Sequence, residues 1–275
     1  MTQIDKSRFE WIGSDSARRE GISRPSTTFW KDAIGRLMKN KVAVVCFFII
    51  VLLILSCIIV PFFSPFESRE QHLGEVNKGF MTVCTDPRYE GQHHVHYFGT
   101  DNLGRDLFLR AFEGGRVSLM IAFAAVFVNL IVGLIYGGIS GYIGGAVDTI
   151  MMRIVEIVNG IPYLIVVILL MMVLPKGIFT MVVAYGITGW TGMARLVRGQ
   201  VLQLKSQEYI VAAEAMGAKS SRIIAKHLIP NALSVIIINV TLAIPSAIFT
   251  EAFLSYIGLG VPVPPVSYTH LTLPT

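Results

Sequence analysis

Charged side chains are scarce in this chain of 275 residues: Asp, Glu, Lys and Arg make up only 15%, while 53% of the residues are hydrophobic. Soluble domains contain about 25% charged residues, so this shortage excludes an ordinary soluble domain. Cysteine is also rare, and of the three present Cys46 and Cys57 share one apolar run while Cys84 lies apart. This arrangement predicts neither a disulfide framework nor a zinc-binding spacing.

Uncharged apolar sequence is abundant instead. The run 42–63 is long enough to cross a hydrocarbon core, which takes roughly 20 helical residues, and it starts too far along the chain for a cleavable signal peptide. Because a backbone inside a bilayer must satisfy its own hydrogen bonds, such runs cross as helices. The sequence therefore predicts an all-α, polytopic membrane bundle of five spans. The other four predicted spans are 117–139, 157–175, 177–194 and 228–250.

The basic residues between these runs predict the orientation. Segment 1–41 carries nine Lys and Arg residues, so we expect a cytoplasmic N-terminal segment. After four spans, the connection 195–227, with six basic and two acidic residues, returns to that side. The connection 64–116 is then extracytoplasmic, and the Gly-rich stretch 137–156 forms a smaller cytoplasmic turn whose glycines allow sharp turns or close helix packing. Topology thus explains the net charge of +5, and no nucleic-acid-binding face is predicted.

The connection 195–227 has its own helical pattern. Good helix formers run from Glu208, and Gly217 is placed to end a short helix in a left-handed conformation before a second helix begins. In the first helix, Ala212, Ala213 and Met216 share one side, which predicts a shallow surface suited to docking in a groove. A solvated basic loop that only follows the positive-inside rule is the alternative interpretation.

The same stretch resembles a known signature. Ala212, Ala213, Gly217 and Pro230 match the spacing of the cytoplasmic motif of ATP-binding-cassette importer permeases, written E-A-A, three residues, G, nine residues, I-x-L-P. The departures from the motif are Val211, His227 and Ile229. The wider stretch EYIVAAEAMGA, followed by RIIAKHLIPN, resembles the branch that imports oligopeptides, dipeptides and, in some members, nickel.

A second resemblance lies at residues 98–119, FGTDNLGRDLFLRAFEGGRVSL, which look like the segment leading into the second span of these permeases. Two interpretations of its TDxxGRD pattern stay open: a local salt-bridge cluster at the start of the span, or contact with a binding protein or partner permease. The long outer connection and GYIGGAVDTIMMR further resemble the C-type permease subunit. The residues of the pattern are Thr100, Asp101, Gly104, Arg105 and Asp106.

The resemblance implies a type I importer permease with six spans in a full-length member, in a prokaryotic cytoplasmic (inner) membrane. It implies a core permease domain over 117–260, with 195–227 as its coupling segment. The implied partners are a second permease subunit forming a heterodimer, two ATPase subunits, an extracytoplasmic solute-binding protein, the lipid bilayer and a peptide substrate. ATP would be bound by the ATPases, so the chain itself is expected to be no enzyme and to hold no cofactor. The residues implied in ATPase coupling are Glu208, Tyr209, Ala212, Ala213, Glu214, Met216, Gly217, Ala218 and Pro230.

Polar residues within the spans suggest a pathway lining or structural contacts. Asn129, Asn239 and Glu251 are the polar candidates for lining the pathway; the alternative for the two asparagines is hydrogen bonding between helices, and the alternative for Glu251, near the outer end of the last span, is an interfacial, solvated position. No pattern of catalytic residues is present. The main alternatives in function are a stand-alone channel, an ion-coupled secondary transporter, or nickel import within the same family.

Three histidines close together in the outer connection raise the question of a metal. His93, His94 and His96 could bind one adventitiously, but the sequence shows no cysteine or carboxylate constellation to complete a site. We therefore predict no metal site.

The C-terminal tail, 261–275, departs from the resemblance. Its last part, VSYTHLTLPT, looks like translated adapter or vector sequence fused to a truncated reading frame. On that interpretation the sixth span is missing here.

Overall fold

The computed structural model describes residues 29–64, 66, 71–85 and 94–261. Two units divide the chain, 1–54 and 55–275. The first contains α1 (Phe29–Lys39), an amphipathic helix with Asp32 in its first turn, and most of α2 (Lys41–Phe63). Helix α2 has no charge after Lys41, and its length and hydropathy confirm the predicted first span.

The second unit is built from helices. The bounds of the first five are α3 (Leu107–Ile143), α4 (Gly145–Asn159), α5 (Tyr163–Val173), α6 (Ile178–Thr188) and α7 (Trp190–Lys205). The last ones are α8 (Glu208–Ala215), α9 (Ser220–Ile223), a π-helical turn (Ile224–Leu228) and α10 (Ile229–Tyr256). This architecture confirms the predicted all-α fold class.

The number of helices that could cross a membrane is roughly consistent with the five predicted spans. Within the described residues, three stretches are long and apolar enough to cross a membrane (α2, α3 and Ser220–Tyr256), or four if α4 and α5 together count as one span. The predicted span 157–175 is bent by 75° between α4 and α5, where Pro162 cannot donate a backbone hydrogen bond. The predicted span 177–194 is divided at Gly189 between α6 and α7.

Glycines allow α3 to pack closely against α7. A Cβ on Gly137 would lie 2.3 Å from the carbonyl oxygen of Ala194, and one on Gly133 would lie 2.5 Å from the side chain of Met193. Because such contacts leave no room for a side chain, this face of α3 needs glycine. The predicted Gly-rich turn at 137–156 is therefore wrong in its conformation: α3 continues to Ile143, and only Gly144 separates it from α4.

Apolar clusters form the core of the helical unit, and two of them have the most buried members. One joins α7 and α8 to the chain from α9 to α10, and its buried members are Met193, Val197, Val201, Ile210, Ile223, Leu228, Ala232 and Ile236. The other joins α3, α5, α6 and the end of α10 through Ile121, Val167, Met181, Ala184 and Leu254.

Before α3, the chain forms a small layer of loops and short strands. A 3₁₀ turn (Leu73–Glu75) precedes β1 (Thr82–Val83), which pairs antiparallel with β2 (Val95–His96). Asp106 then caps α3, its Oδ1 accepting a hydrogen bond from the amide of Leu109 at 2.7 Å.

Candidate functional site

Helix α8 and the turn after it form the predicted helix-turn-helix. Gly217 has φ +76°, which a residue with a side chain rarely adopts. Its amide donates to the carbonyl of Glu214 at 2.9 Å, and the Ala218 amide donates to that of Ala213 at 3.1 Å. These bonds close the end of α8, so the prediction that Gly217 ends the first helix is confirmed.

One side of α8 packs into the core and the other is exposed. Ile210 and Ala213, three residues apart, are buried in the helical unit. Tyr209, Ala212 and Met216 are exposed, Met216 to 82%. The predicted docking surface is therefore wrong in one member: Ala213 packs inward, because Ile210 sets the buried side and Ala213 follows it one turn later.

Side-chain bonds attach α8 to its neighbours on both sides. The hydroxyl of Tyr142, near the end of α3, donates to Glu214 Oε1 at 2.9 Å. The Lys205 ammonium donates to the carbonyl of Tyr142 at 2.5 Å. From the first turn of α10, Asn231 Nδ2 donates to the Tyr209 hydroxyl at 3.2 Å. Helix α8 is thus bonded directly to α3 and to α10, while the Lys205 bond ties α7 to the same end of α3.

The second half of the helix-turn-helix runs directly into the last long helix. Ile223 is buried and Ile224 packs against the same apolar cluster. The π turn is marked by the Ile229 amide, which bonds to the carbonyl of Ile224, five residues earlier. Pro230 lies in the first turn of α10, where its missing N–H costs little. The sequence pattern did not predict the π turn, since its residues are ordinary helix formers.

An ion pair that sequence reasoning missed joins α4 to α7. Arg198 donates through Nε to Asp148 Oδ1 and through Nη2 to Asp148 Oδ2, each at 2.5 Å. The Ser140 hydroxyl also donates to Asp148 Oδ1, at 2.5 Å. The sequence placed Asp148 in a turn, so nothing suggested a partner 50 residues away.

The TDxxGRD residues form a tight structure ahead of α3. Asp101 accepts a hydrogen bond from Arg105 Nε at 2.9 Å and pairs with Arg110. Burial alone would raise the pKa of Asp101, but hydrogen bonds from Arg105 and Leu103 outweigh it and lower that pKa. Gly104 has φ +71° and lies against the backbone of His72. The local salt-bridge cluster is observed, except that Asp106 pairs with His96 instead of an arginine.

His96 is the centre of a buried polar group that we call the outer cluster: His72, Glu75, Cys84 and His96. His96 Nε2 lies 3.1 Å from Glu75 Oε2, and the Cys84 thiol donates to the same oxygen at 3.3 Å. Burial lowers the pKa of His96, but bonds to Asp106 and Glu75 raise it overall. The pKa of Glu75 is raised by burial and lowered, on balance, by hydrogen bonds from Thr85, Cys84 and His96. The structure brings a cysteine and a carboxylate beside His96, which the sequence did not indicate, while the absence of a metal site stays a prediction. His93 is outside the described residues.

Polar residues of the long helices have varied surroundings. Glu251 is only 7% exposed and accepts hydrogen bonds from the hydroxyls of Ser118, at 2.6 Å, and Ser255, at 2.8 Å. The solvated alternative for Glu251 is therefore wrong. Asn129 Oδ1 is buried and has no hydrogen-bond partner among the described residues. Asn239 is half-buried on α10. Their role in a pathway stays a prediction.

A helical membrane protein whose rigidly held helix-turn-helix matches an importer signature is, by class, a transport permease. The chain belongs to the family of binding-protein-dependent transport system inner membrane components, whose family model matches residues 129–272. The N-terminal TM domain of oligopeptide transport permease C matches residues 28–79.

Individual relatives are similar over nearly the whole chain. The oligopeptide transport system permease protein OppC of Bacillus subtilis (strain 168) is 48% identical over 98% of this chain and 84% of its own length. The dipeptide transport system permease protein DppC of the same organism is 46% identical over 90% of this chain and 74% of its own length. OppC of Escherichia coli (strain K12) is 41% identical over 98% of this chain and 84% of its own length.

These matches confirm the resemblance to the C-type permease subunit of the peptide class. The chain is a multi-pass inner membrane component of a transport system with several components, and its relatives are permeases, not enzymes. They do not favour a stand-alone channel or an ion-coupled carrier. The family match overlaps the tail 266–275, which is outside the described residues, so its suggested non-native origin stays a prediction.

Proposed function

We propose that the chain is the membrane-spanning permease of an ATP-driven importer of oligopeptides or dipeptides, and that the exposed side of α8 docks on an ATPase subunit. The names of the relatives support the peptide substrate. The observation that supports docking is that α8 is fixed on its inner side by Ile210 and Ala213 while Tyr209, Ala212 and Met216 point away from the core.

In this mechanism, a movement of the ATPase subunits must be transmitted to the membrane helices. Helix α8 is bonded to α3 through Glu214 and Tyr142 and to α10 through Tyr209 and Asn231, so a push on α8 moves it with both helices as one body. ATP binds to the two ATPase subunits, and the pathway forms with a second permease subunit. A solute-binding protein delivers the peptide on the outer side. The N-terminal segment lies in the cytoplasm, on the same side as α8.

Two exposed positions on α8 test the docking. Coexpressed with its second permease and ATPase subunits, the chain carrying Ala212→Arg and Met216→Asp should retain about tenfold less ATPase on purification, because central contacts dominate an interface. Ala213 is unsuitable for this test, since its substitution would disturb the core.

The matched control is Ala146→Arg, which places the same charge at another exposed alanine, on α4. It should leave ATPase retention unchanged. Equal retention in the α8 variant and this control would show that α8 is not the docking site. ATP-dependent uptake of a labelled tripeptide into proteoliposomes holding the complete complex and its binding protein tests the substrate class: uptake is expected, and its absence would contradict the peptide assignment.

A further inference from the structure

The outer cluster brings together four side chains that can bind a metal. They come from three separate stretches of the chain: His72 precedes the 3₁₀ turn and Glu75 ends it, Cys84 follows β1, and His96 ends β2. All four are buried, and together they supply two imidazoles, a carboxylate and a thiol. Zinc prefers this nitrogen and sulfur set with one oxygen, whereas Mg²⁺ and Ca²⁺ prefer oxygen alone.

The donor atoms are spaced as a small coordination shell requires. Cys84 Sγ lies 3.3 Å and His96 Nε2 lies 3.1 Å from Glu75 Oε2. The donor atoms of His72, Glu75 and Cys84 all lie within 4.8 Å of one another. Zinc bond lengths of about 2.0–2.3 Å place the donors of a tetrahedral site about 3.3–3.7 Å apart, so the donor atoms of His72, Glu75 and Cys84 need to move by about 1 Å to reach that separation, and His96 Nε2 already lies beside Glu75 Oε2.

The groups around the cluster aim its donors inward. Asp106 Oδ2 lies 2.7 Å from His96 Nδ1, which directs Nε2 towards Glu75. Glu75 Oε1 accepts hydrogen bonds from the amide and hydroxyl of Thr85, which leaves Oε2 directed at Cys84 and His96. A carboxylate behind a histidine and hydrogen bonds to a liganding carboxylate are the usual surroundings of a bound metal.

Apolar and backbone packing closes the site. The ring of Phe66 stacks on His96 with centroids 4.4 Å apart, and Leu109 is buried beside Phe66 and Cys84. The amide of His72 donates to the Gly104 carbonyl at 3.3 Å, and a Cβ on Gly104 would lie 2.0 Å from the His72 carbonyl oxygen. The TDxxGRD pattern thus holds His72 through Gly104 and orients His96 through Asp106.

We propose that His72, Glu75, Cys84 and His96 bind one zinc-type divalent transition-metal ion in a closed, structural site. Binding takes the proton from the Cys84 thiol, which coordinates as the thiolate, and His96 coordinates through unprotonated Nε2. The ion ties the 3₁₀ turn before β1 to the chain after β1 and to the end of β2. The site uses no residue of α8, and its test measures bound metal. The metal proposal can therefore fail without affecting the proposal of peptide import, and the reverse is also true.

Cobalt is a coloured probe of the proposed site. The chain of 275 residues, purified in detergent and stripped with a chelator, should bind about one Co²⁺ with thiolate-to-cobalt charge-transfer absorption, and Zn²⁺ should abolish that absorption by displacement. Cys84→Ser should lose the absorption, while the control Cys46→Ser, at an exposed cysteine of α2, should keep it. Absence of charge transfer in the unsubstituted chain, or its persistence in Cys84→Ser, overturns the proposal.

A second variant keeps the fold while changing only the surroundings of His96. Asn caps helices as well as Asp, so Asp106→Asn retains the cap of α3 but weakens its bond to His96. It should lower zinc affinity about 10- to 100-fold, measured by competition with Co²⁺. Unchanged affinity would contradict the role of Asp106. Zinc retained equally by the chain with and without His72→Ala and His96→Ala would mark the binding as adventitious and overturn the site.

Discussion

Single carboxylates in this molecule have very different surroundings. Asp101 and Asp32 each pair with an arginine four residues later, but the Asp101–Arg105 pair is largely buried while the Asp32–Arg36 pair is exposed. Exposed pairs contribute little, because water and salt screen them and the side chains lose entropy. The two aspartates therefore make a matched comparison.

Asp101→Asn should destabilise the chain by about 1–3 kcal/mol at neutral pH, since it removes the charge that accepts several hydrogen bonds. The pKa of Asp101 is lowered in the fold, so its contribution is present above the ordinary carboxyl value of 3.8 and is lost as the pH falls through the lower folded value. Thermal unfolding in detergent should show the difference between variant and unsubstituted chain shrinking in that acidic range.

Asp32→Asn is the control and should change the unfolding midpoint little at any pH. A difference for Asp101→Asn that stayed constant down to strongly acidic pH would contradict a contribution from the charge.

At the scale of helices, the close contact between α3 and α7 depends on glycines of α3, which have no side chain. Gly137→Ala should cost about 1–3 kcal/mol, because its Cβ would overlap the Ala194 carbonyl and force the helices apart. Gly114→Ala, on the same helix but with no atom within 4 Å of a new Cβ, should leave stability unchanged or raise it slightly. The measurement is the unfolding midpoint of each variant in detergent. Equal shifts for the two would mean that helix propensity, and not contact, decides.

Helices were predictable from sequence where hydropathy and a turn residue determine the structure. The runs that became α2, α3 and α10 are long and uncharged, and Gly217 ends α8 because its conformation excludes a side chain. The bend between α4 and α5 falls at Pro162, whose missing N–H is a signal in the sequence for a kink, whereas hydropathy averages over residues and is insensitive to one interrupted hydrogen bond.

The candidate site was predicted less completely, because alanine is too small to indicate its surroundings and because some contacting residues are far apart in the sequence. An alanine fits a core or a surface equally well, so only the neighbouring Ile210 reveals that Ala213 faces inward. No local sequence pattern predicts that Glu75 and His96 come together. Their proximity depends on the pairing of β1 with β2, which are separate in the sequence. The signature spacing identified the family, while the inward and outward sides of α8 required coordinates.

At the scale of the whole molecule, the proposed topology assigns a side of the membrane to each end of α3. With Cys46 and Cys57 changed to Ser, a single new cysteine at exposed Phe80 should react in intact spheroplasts with a membrane-impermeant maleimide. Cysteines introduced at Lys31 or Ser221 should react only after permeabilisation, because both positions are placed in the cytoplasm. The parent without a new cysteine gives the background, since Cys84 is buried.

The reverse pattern would invert the topology. If Lys31→Cys is labelled from outside while Ser221→Cys is protected, the N-terminal segment and α8 lie on opposite sides of the membrane. That result would contradict the even number of crossings proposed between them.

The uninterrupted length of α3 has a mechanical consequence. At 1.5 Å per residue its 37 residues extend about 55 Å, well beyond a hydrocarbon core of about 30 Å. Asp106 anchors one end to the outer layer, and Tyr142 anchors the other to α8. No proline interrupts α3. If α8 docks on an ATPase as proposed, a displacement of α8 would therefore pass along α3 to the layer of loops and short strands at its other end with little loss to bending.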